Sequence, residues 1–243
     1  MLRTPWFFIV MLASTIWYGS SVVIAGLLGI RRRPGGVYDR SAKRWARNAL
    51  WAAAIPYKVV GLDGVPIDRP LVIASNHQSW FDIFLLAAVL PGSLRFVAKK
   101  ELSRIPLLGR AMKRAGHVFI DRQNRQAAFG AYDEAAEGIR GGISAVVFPE
   151  GTRSRTGELQ PFKKGPFVLA IAARVPLVPV YCAGTFTLLA KGHWRIRSHP
   201  VALMFGRPID TTGMVYDDRE RLMEETRRAI EQLRDGARRV LEN

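Results

Sequence analysis

Hydrophobic and polar positions divide this chain into two unlike parts. From Pro5 to Ile30 no charged residue occurs in 26 positions, so a helix here would be about 39 Å long, against roughly 30 Å of bilayer hydrocarbon. Gly19-Ser20-Ser21 interrupts the run. Trp45 to Ile55 is a second helical stretch, with Trp, Ala and Leu standing among arginines as suits a membrane interface. The pattern predicts a membrane anchor of one or two helices over residues 1–56, either spanning the bilayer or embedded as a hairpin in one leaflet; a hairpin buried in a soluble fold is the bland alternative. After Pro56 short apolar runs alternate with longer amphipathic ones. Tyr57–Gly61, Leu71–Ser75, Arg95–Ala98, His117–Ile120, Ile143–Phe148, Leu177–Tyr181 and Val201–Phe205 read as strands. Phe81–Val89, Leu107–Arg114, Arg125–Arg140, Pro166–Arg174 and Asp217–Leu241 read as helices, with Gly109 a weak point in the second. Residues 57–243 are therefore expected to form a single α/β domain with a mostly parallel or mixed central sheet flanked by helices.

Charge changes the picture of what this surface meets. Lys and Arg number 36 against 20 Asp and Glu, a formal net charge of +16, with clusters at Arg31-Arg32-Arg33 and Lys163-Lys164. Such a surface seeks polyanions. Nucleic acid is disfavoured, since zinc-finger cysteine pairs, an RNP-like aromatic strand and a recognition helix are all missing from the sequence. Anionic membrane lipid fits better beside the N-terminal run. That run is long for a signal peptide and lacks a convincing cleavage site before the arginine triplet. Arg31-Arg32-Arg33, with Lys43, Arg44 and Arg47, would stay on the cytoplasmic side, placing the domain on the cytoplasmic face of the inner membrane. The lone Cys182 rules out an internal disulfide and fits a reducing compartment. His117, His193 and His199 have no metal-ligand spacing, so no metal is expected. No signal for an oligomeric state is present.

Candidate chemistry begins at Asn76-His77-Gln78-Ser79-Trp80-Phe81-Asp82, between an apolar strand and an apolar helix. On one continuous helix His77 and Asp82 would point about 140° apart, so they can meet only if His77 precedes the helix. With Asp82 in the first helical turn, its carboxylate can hold one ring nitrogen and leave the other free to take a proton from a substrate. A histidine that merely caps the helix is the competing reading. A second strand runs into Pro149-Glu150-Gly151-Thr152-Arg153-Ser154, where Gly151 permits a tight turn, Thr152 offers a hydroxyl and Arg153 a planar fork for phosphate oxygens. The alternative is that Glu150 and Arg153 pair with each other to hold a turn.

These motifs, in this order and in a basic, membrane-attached chain, resemble the glycerolipid acyltransferase family, specifically the 1-acylglycerol-3-phosphate acyltransferases of bacteria. The resemblance covers Tyr57 to about Asp210 and rests on four blocks: N-H-Q-S-W-F-D at 76–82, G-H-V-F-I-D-R at 116–122, F-P-E-G-T-R-S at 148–154 with F-K-K-G at 162–165, and V-P-L-V-P-V at 175–180. It implies transfer of a fatty acyl group from a thioester, acyl-CoA or acyl carrier protein, to the free hydroxyl of a lysophospholipid, with no cofactor. His77 would be the base and Asp82 its orienting partner. Gly151, Thr152 and Arg153 would hold the acceptor phosphate, and the resemblance adds Arg122 and Glu150 to the acceptor or donor site. Arg122 is left between a substrate contact and a pairing with Asp121, and Lys163-Lys164 between a phosphate contact and a solvated face. Glycerol 3-phosphate and other lysolipids remain as alternative acceptors. A serine hydrolase using Ser79 lacks the Gly-x-Ser-x-Gly elbow, and a basic membrane-surface protein without catalysis would leave His77 idle.

Overall fold

The uncharged N-terminal run forms helix α1 (Arg3–Leu27) in the computed structural model, which describes residues 3–121 and 125–242. The second helix, α2 (Val37–Ala53), begins at Val37 rather than Trp45. Its first half is charged on the outside, but Tyr38, Ser41, Ala46, Ala49, Leu50 and Ala53 are buried at three- and four-residue spacing, the stripe of an amphipathic helix. Then follow β1 (Tyr57–Val60), β2 (Val72–Ser75), α3 (Trp80–Val89), β3 (Leu94–Lys99), α4 (Leu108–Ala115), β4 (Val118–Ile120) and α5 (Arg125–Arg140). The remaining elements are β5 (Ser144–Val147), α6 (Gly165–Ala173), β6 (Leu177–Ala183), the single turn α7 (Thr185–Leu188), β7 (Val201–Phe205) and α8 (Arg219–Glu242). Gly109 lies inside α4 because the chain needs it there: a Cβ at that position would collide with the Ser103 carbonyl.

The strands form one sheet in the order β1-β7-β6-β2-β5-β3-β4. β6 and β7 pair antiparallel and every other neighbouring pair is parallel, which is the mixed sheet expected. Central strands are covered on both faces, so they are buried at every position instead of alternating. Alternation survives in what each residue touches: Leu71 and Ile73 pack with Leu86 and Leu90 at the α3 side, while Val72 and Ala74 pack with Ile139, Phe167 and Ala170 of α5 and α6.

α1 lies along α2 and α4. Its Phe7 ring sits 5.4 Å from Phe81 and 6.3 Å from Phe84, centroid to centroid, on α3. Trp45 Nε1 donates to Thr15 Oγ1 at 2.9 Å, and Asn48 Nδ2 donates to Ser14 Oγ at 2.9 Å, so the two helices are joined by polar contacts as well as packing. By length and composition α1 could cross a membrane. One of its faces, with Phe7, Ser14, Gly19, Val22 and Ala25, is nevertheless buried against the domain, and the opposite face leaves Ile9, Leu12, Ile16 and Trp17 exposed.

Candidate active site

Parallel pairing of β2 with β5 sets Ala74 beside Val147. The segments that leave these strands, 76–82 and 148–154, therefore emerge together at the carboxyl edge, where open α/β sheets place their ligands. Asn76 fastens the first of them. Its Oδ1 accepts the Cys182 N–H at 2.7 Å and its Nδ2 donates to the Cys182 carbonyl at 3.2 Å, so a side-chain amide adds one more rung to the ladder with β6.

His77 stands in the turn before α3, and its Nδ1 lies 2.9 Å from Asp82 Oδ2. The same Oδ2 accepts the backbone N–H groups of Gln78 at 2.7 Å and Ser79 at 2.8 Å. Ser79 is the N-cap, its Oγ accepting from Phe81 N–H, and with Asp82 it forms a capping box. The capping and catalytic readings thus describe one object: Asp82 caps the helix, and in doing so it is fixed where it can hold the imidazole. Ser79 is buried and donates its hydroxyl to the Leu189 carbonyl at 2.8 Å, which accounts for the serine without nucleophilic work. The His77 ring stacks on Phe148 at 3.9 Å between centroids. Its side chain is 13% exposed, and Nε2 has no protein partner among the described residues.

Glu150 reaches this turn from the other loop. Its Oε1 accepts the His77 backbone N–H at 2.6 Å, and Oε2 accepts Gln160 N and Nε2 at 3.1 and 3.3 Å. Ser154 N–H donates to the His77 carbonyl at 2.8 Å. The histidine's peptide is therefore clamped from both ends by a segment 73 residues away, and Glu150 points its carboxylate at this clamp and not at Arg153. Burial raises the Glu150 carboxyl to about 7, against the pull of its N–H donors. A folded-state value above the unfolded one of about 4.5 means stability that is full below about pH 4.5 and lost as pH rises through about 7. Melting temperature should accordingly fall between pH 5 and 8 in the parent and fall less in Glu150→Gln; equal slopes for the two proteins in a differential scanning experiment would refute the assignment.

Gly151 adopts φ +74°, a conformation that favours glycine, and the chain that follows brings Thr152 and Arg153 to the cavity that His77 lines. Arg153 lies over the Trp80 ring, 4.8 Å from its centroid. Partial burial lowers its pKa, and the nearby Asp82 charge partly offsets that. His77, Gly151, Thr152 and Arg153 all line one cavity of about 330 Å³. Asp82 stands behind His77, outside the lining. Much of the rest of the lining is apolar, with Val22 of α1, Ile83, Phe96, Val97, Leu108, Ala111 and Met112. His117 closes part of it; its Nδ1 accepts the Phe96 N–H at 2.9 Å, and burial together with the Arg95 charge pushes its pKa down to about 3. It is a neutral packing group and offers no second base.

Arg122 lies outside the described residues. Its neighbour Asp121 pairs with Lys100 at 3.0 Å. Lys164 pairs with Glu220 of α8 at 2.6 Å, which spends one of the two lysines on structure. Two contributors escaped sequence reasoning. Thr15, Tyr18, Gly19 and Val22 of α1 form part of the cavity wall, and Lys191, beyond α7, lines it too. An uncharged run carries no mark of which face meets a ligand, and a lone lysine in a loop carries no motif.

The acyltransferase family model matches residues 56–183. Over 212 residues the chain is 34% identical to a 1-acyl-sn-glycerol-3-phosphate acyltransferase of Limnanthes douglasii, covering 87% of this chain and 74% of the plant protein. It is 34% identical over 177 residues to the human 1-acyl-sn-glycerol-3-phosphate acyltransferase alpha, covering 72% of this chain and 62% of the human one. The crystal structure of the 1-acyl-sn-glycerophosphate (LPA) acyltransferase PlsC from Thermotoga maritima is similar with a TM-score of 0.78 and 30% identity, covering 96% of this chain and 95% of that one. A family match over more than half of the chain, relatives at this identity and a shared fold that includes α1 and α2 agree with the geometry of the histidine turn: the chain belongs to the acyltransferase family.

Proposed function

We propose that this protein transfers a fatty acyl group from an acyl thioester, carried by coenzyme A or acyl carrier protein, to the free hydroxyl of 1-acylglycerol 3-phosphate, giving phosphatidic acid. The observation that carries the reading is the His77 ring. It is held at Nδ1 by Asp82 and has no Nε2 partner among the described residues, and it lines a cavity that also carries the cations Arg153 and Lys191 and a set of apolar side chains. An alcohol is a poor nucleophile until a base removes its proton as the new bond forms. His77 Nε2 takes that proton while the hydroxyl oxygen bonds to the thioester carbonyl carbon. Collapse of the tetrahedral adduct breaks the C–S bond, and the imidazolium returns the proton to the departing thiolate. Asp82 stabilises the imidazolium in between, as the carboxylate of a hydrolase triad does. The thioester is already activated, so neither a protein nucleophile nor a cofactor is needed.

Arg153, with Thr152 and the Gly151 turn, receives the acceptor phosphate, and the apolar wall receives an acyl chain. The exposed face of α1 lies in the bilayer, with its buried face kept on the domain, and the basic residues from Arg31 to Arg47 meet anionic headgroups at the cytoplasmic side. A site whose wall is a membrane helix can take a lipid substrate without lifting it into water.

The test supplies membranes containing the protein with labelled acyl-CoA or acyl carrier protein and a panel of acceptors. The expected result is fastest acylation of 1-acylglycerol 3-phosphate, with phosphatidic acid as product. A preference for glycerol 3-phosphate or for a lysolipid with an esterified phosphate overturns the acceptor assignment. Failure to acylate any hydroxyl acceptor with either donor overturns the reaction itself.

A further inference from the structure

We propose that Lys191 is a second cation for the acceptor's phosphate, acting with Arg153 in the same cavity and selecting a phosphate monoester; this rests on the reading of the site given above. Lys191 Nζ donates to Thr152 Oγ1 at 2.9 Å and to the Arg153 carbonyl at 3.3 Å, so it stands against the loop that carries the anion seat, although 38 residues separate the two. It lines the same cavity as His77 and Arg153. Among the described residues neither Lys191 nor Arg153 has a carboxylate within ion-pair distance, while the exposed cations Lys164, Arg221 and Arg238 do. Partial desolvation and the neighbouring Arg155 and Arg153 charges lower the Lys191 pKa. Two unpaired cations held together are unfavourable until an anion joins them, and a phosphate monoester near neutral pH carries between one and two negative charges, unlike the single charge of a diester.

The lysine's position is fixed by the fold. The turn that bears it closes with His193 N–H donating to the Ala190 carbonyl. Just before it, the Leu189 carbonyl accepts the Ser79 hydroxyl of the histidine turn. Just after it, Ile196 N–H donates to Thr4 Oγ1 of α1 at 3.1 Å, and Leu188, Leu189 and Ile196 are buried with Phe7 and Phe81. Lys191 is thus tied to the catalytic turn and to the membrane helix, and it lies beyond the residues that the family model matches.

Lys191→Arg and Lys191→Gln separate charge from scaffolding. Both can donate to Thr152 and to the Arg153 carbonyl, but only arginine keeps the positive charge. With the full chain in membranes, Lys191→Gln should raise the KM for 1-acylglycerol 3-phosphate about 10- to 100-fold, the scale of a lost charge-assisted hydrogen bond. The kcat and the KM for the acyl donor should stay within about threefold of the parent, and Lys191→Arg should keep most of the affinity. Equal KM values for the parent and Lys191→Gln overturn the proposal, as does a KM increase that falls on the donor. So does a loss in Lys191→Arg as large as that in Lys191→Gln, which would mark a scaffolding role for the lysine's shape. A parent that acylates other hydroxyls but not 1-acylglycerol 3-phosphate would instead overturn the acceptor assignment on which this rests.

Discussion

Replacing His77 with alanine should reduce kcat about 10²- to 10⁴-fold, with the KM values for donor and acceptor changed far less. The magnitude is that of a positioned general base, and the selectivity for kcat follows from where the side chain stands. In the proposed reaction His77 would meet the acceptor hydroxyl at Nε2, whereas Arg153 and the apolar wall of the same cavity would hold phosphate and acyl chain. The turn should survive the substitution, because Glu150 Oε1 and Ser154 N–H grip the His77 backbone and not its ring. Steady-state kinetics with labelled donor, together with an unchanged circular dichroism spectrum, make the check. A variant that acylates at the parent's rate would remove the proposed base from the mechanism.

Asp82→Asn is expected to be nearly as severe in turnover and more costly to the fold. In the proposed reaction the carboxylate would set a negative charge beside the imidazolium, and its loss from a hydrolase triad costs on the order of 10⁴ in rate. Asparagine has two ways to sit here. With its oxygen at the Oδ2 position it still accepts from Gln78 and Ser79, but its amide nitrogen then occupies the place of Oδ1, which is buried with no hydrogen-bond partner among the described residues. With the amide nitrogen at Oδ2 it donates to His77 Nδ1, puts the ring proton on Nε2 and removes the base. Either way a buried donor or a lost cap should cost about 1–3 kcal/mol of stability. Turnover should fall by about 10²-fold or more and melting temperature by several degrees in the same protein. A variant with parental kcat would show that His77 works without its partner.

The coupling of these effects to one residue follows from the capping box. In a helix cap a carboxylate three residues after the N-cap receives backbone N–H groups, and the same geometry gives Asp82 a fixed bearing on the residue two before the cap, His77. A spacing of five residues is forbidding on a continuous helix and productive across a cap. This explains why the motif was legible from residue order: the constraint is local, set within one helical turn. The strand assignments were legible for a similar reason. Short runs such as Val201–Phe205 are apolar at every position because central strands are buried on both faces. The start of α2 was not. Its first turns carry Tyr38 and Ser41 as the buried positions among Asp39, Arg40, Lys43 and Arg44, and a stripe that weak is visible only once α1 and α4 lie over it.

Residue order alone carried the α/β class, the apolar N-terminal helix, the histidine turn with its carboxylate and the glycine turn before Arg153, because each arises from interactions within a few residues along the chain. Tertiary structure decided the rest. The parallel pairing of β2 and β5 put Glu150 against the His77 peptide, the docking of Phe7 on α3 made the apolar N-terminal helix into a wall of the cavity, and the turn after α7 brought Lys191 to Thr152 and Arg153. Those contacts join segments dozens of residues apart, and they depend on strand order and helix packing, quantities that no local spacing encodes.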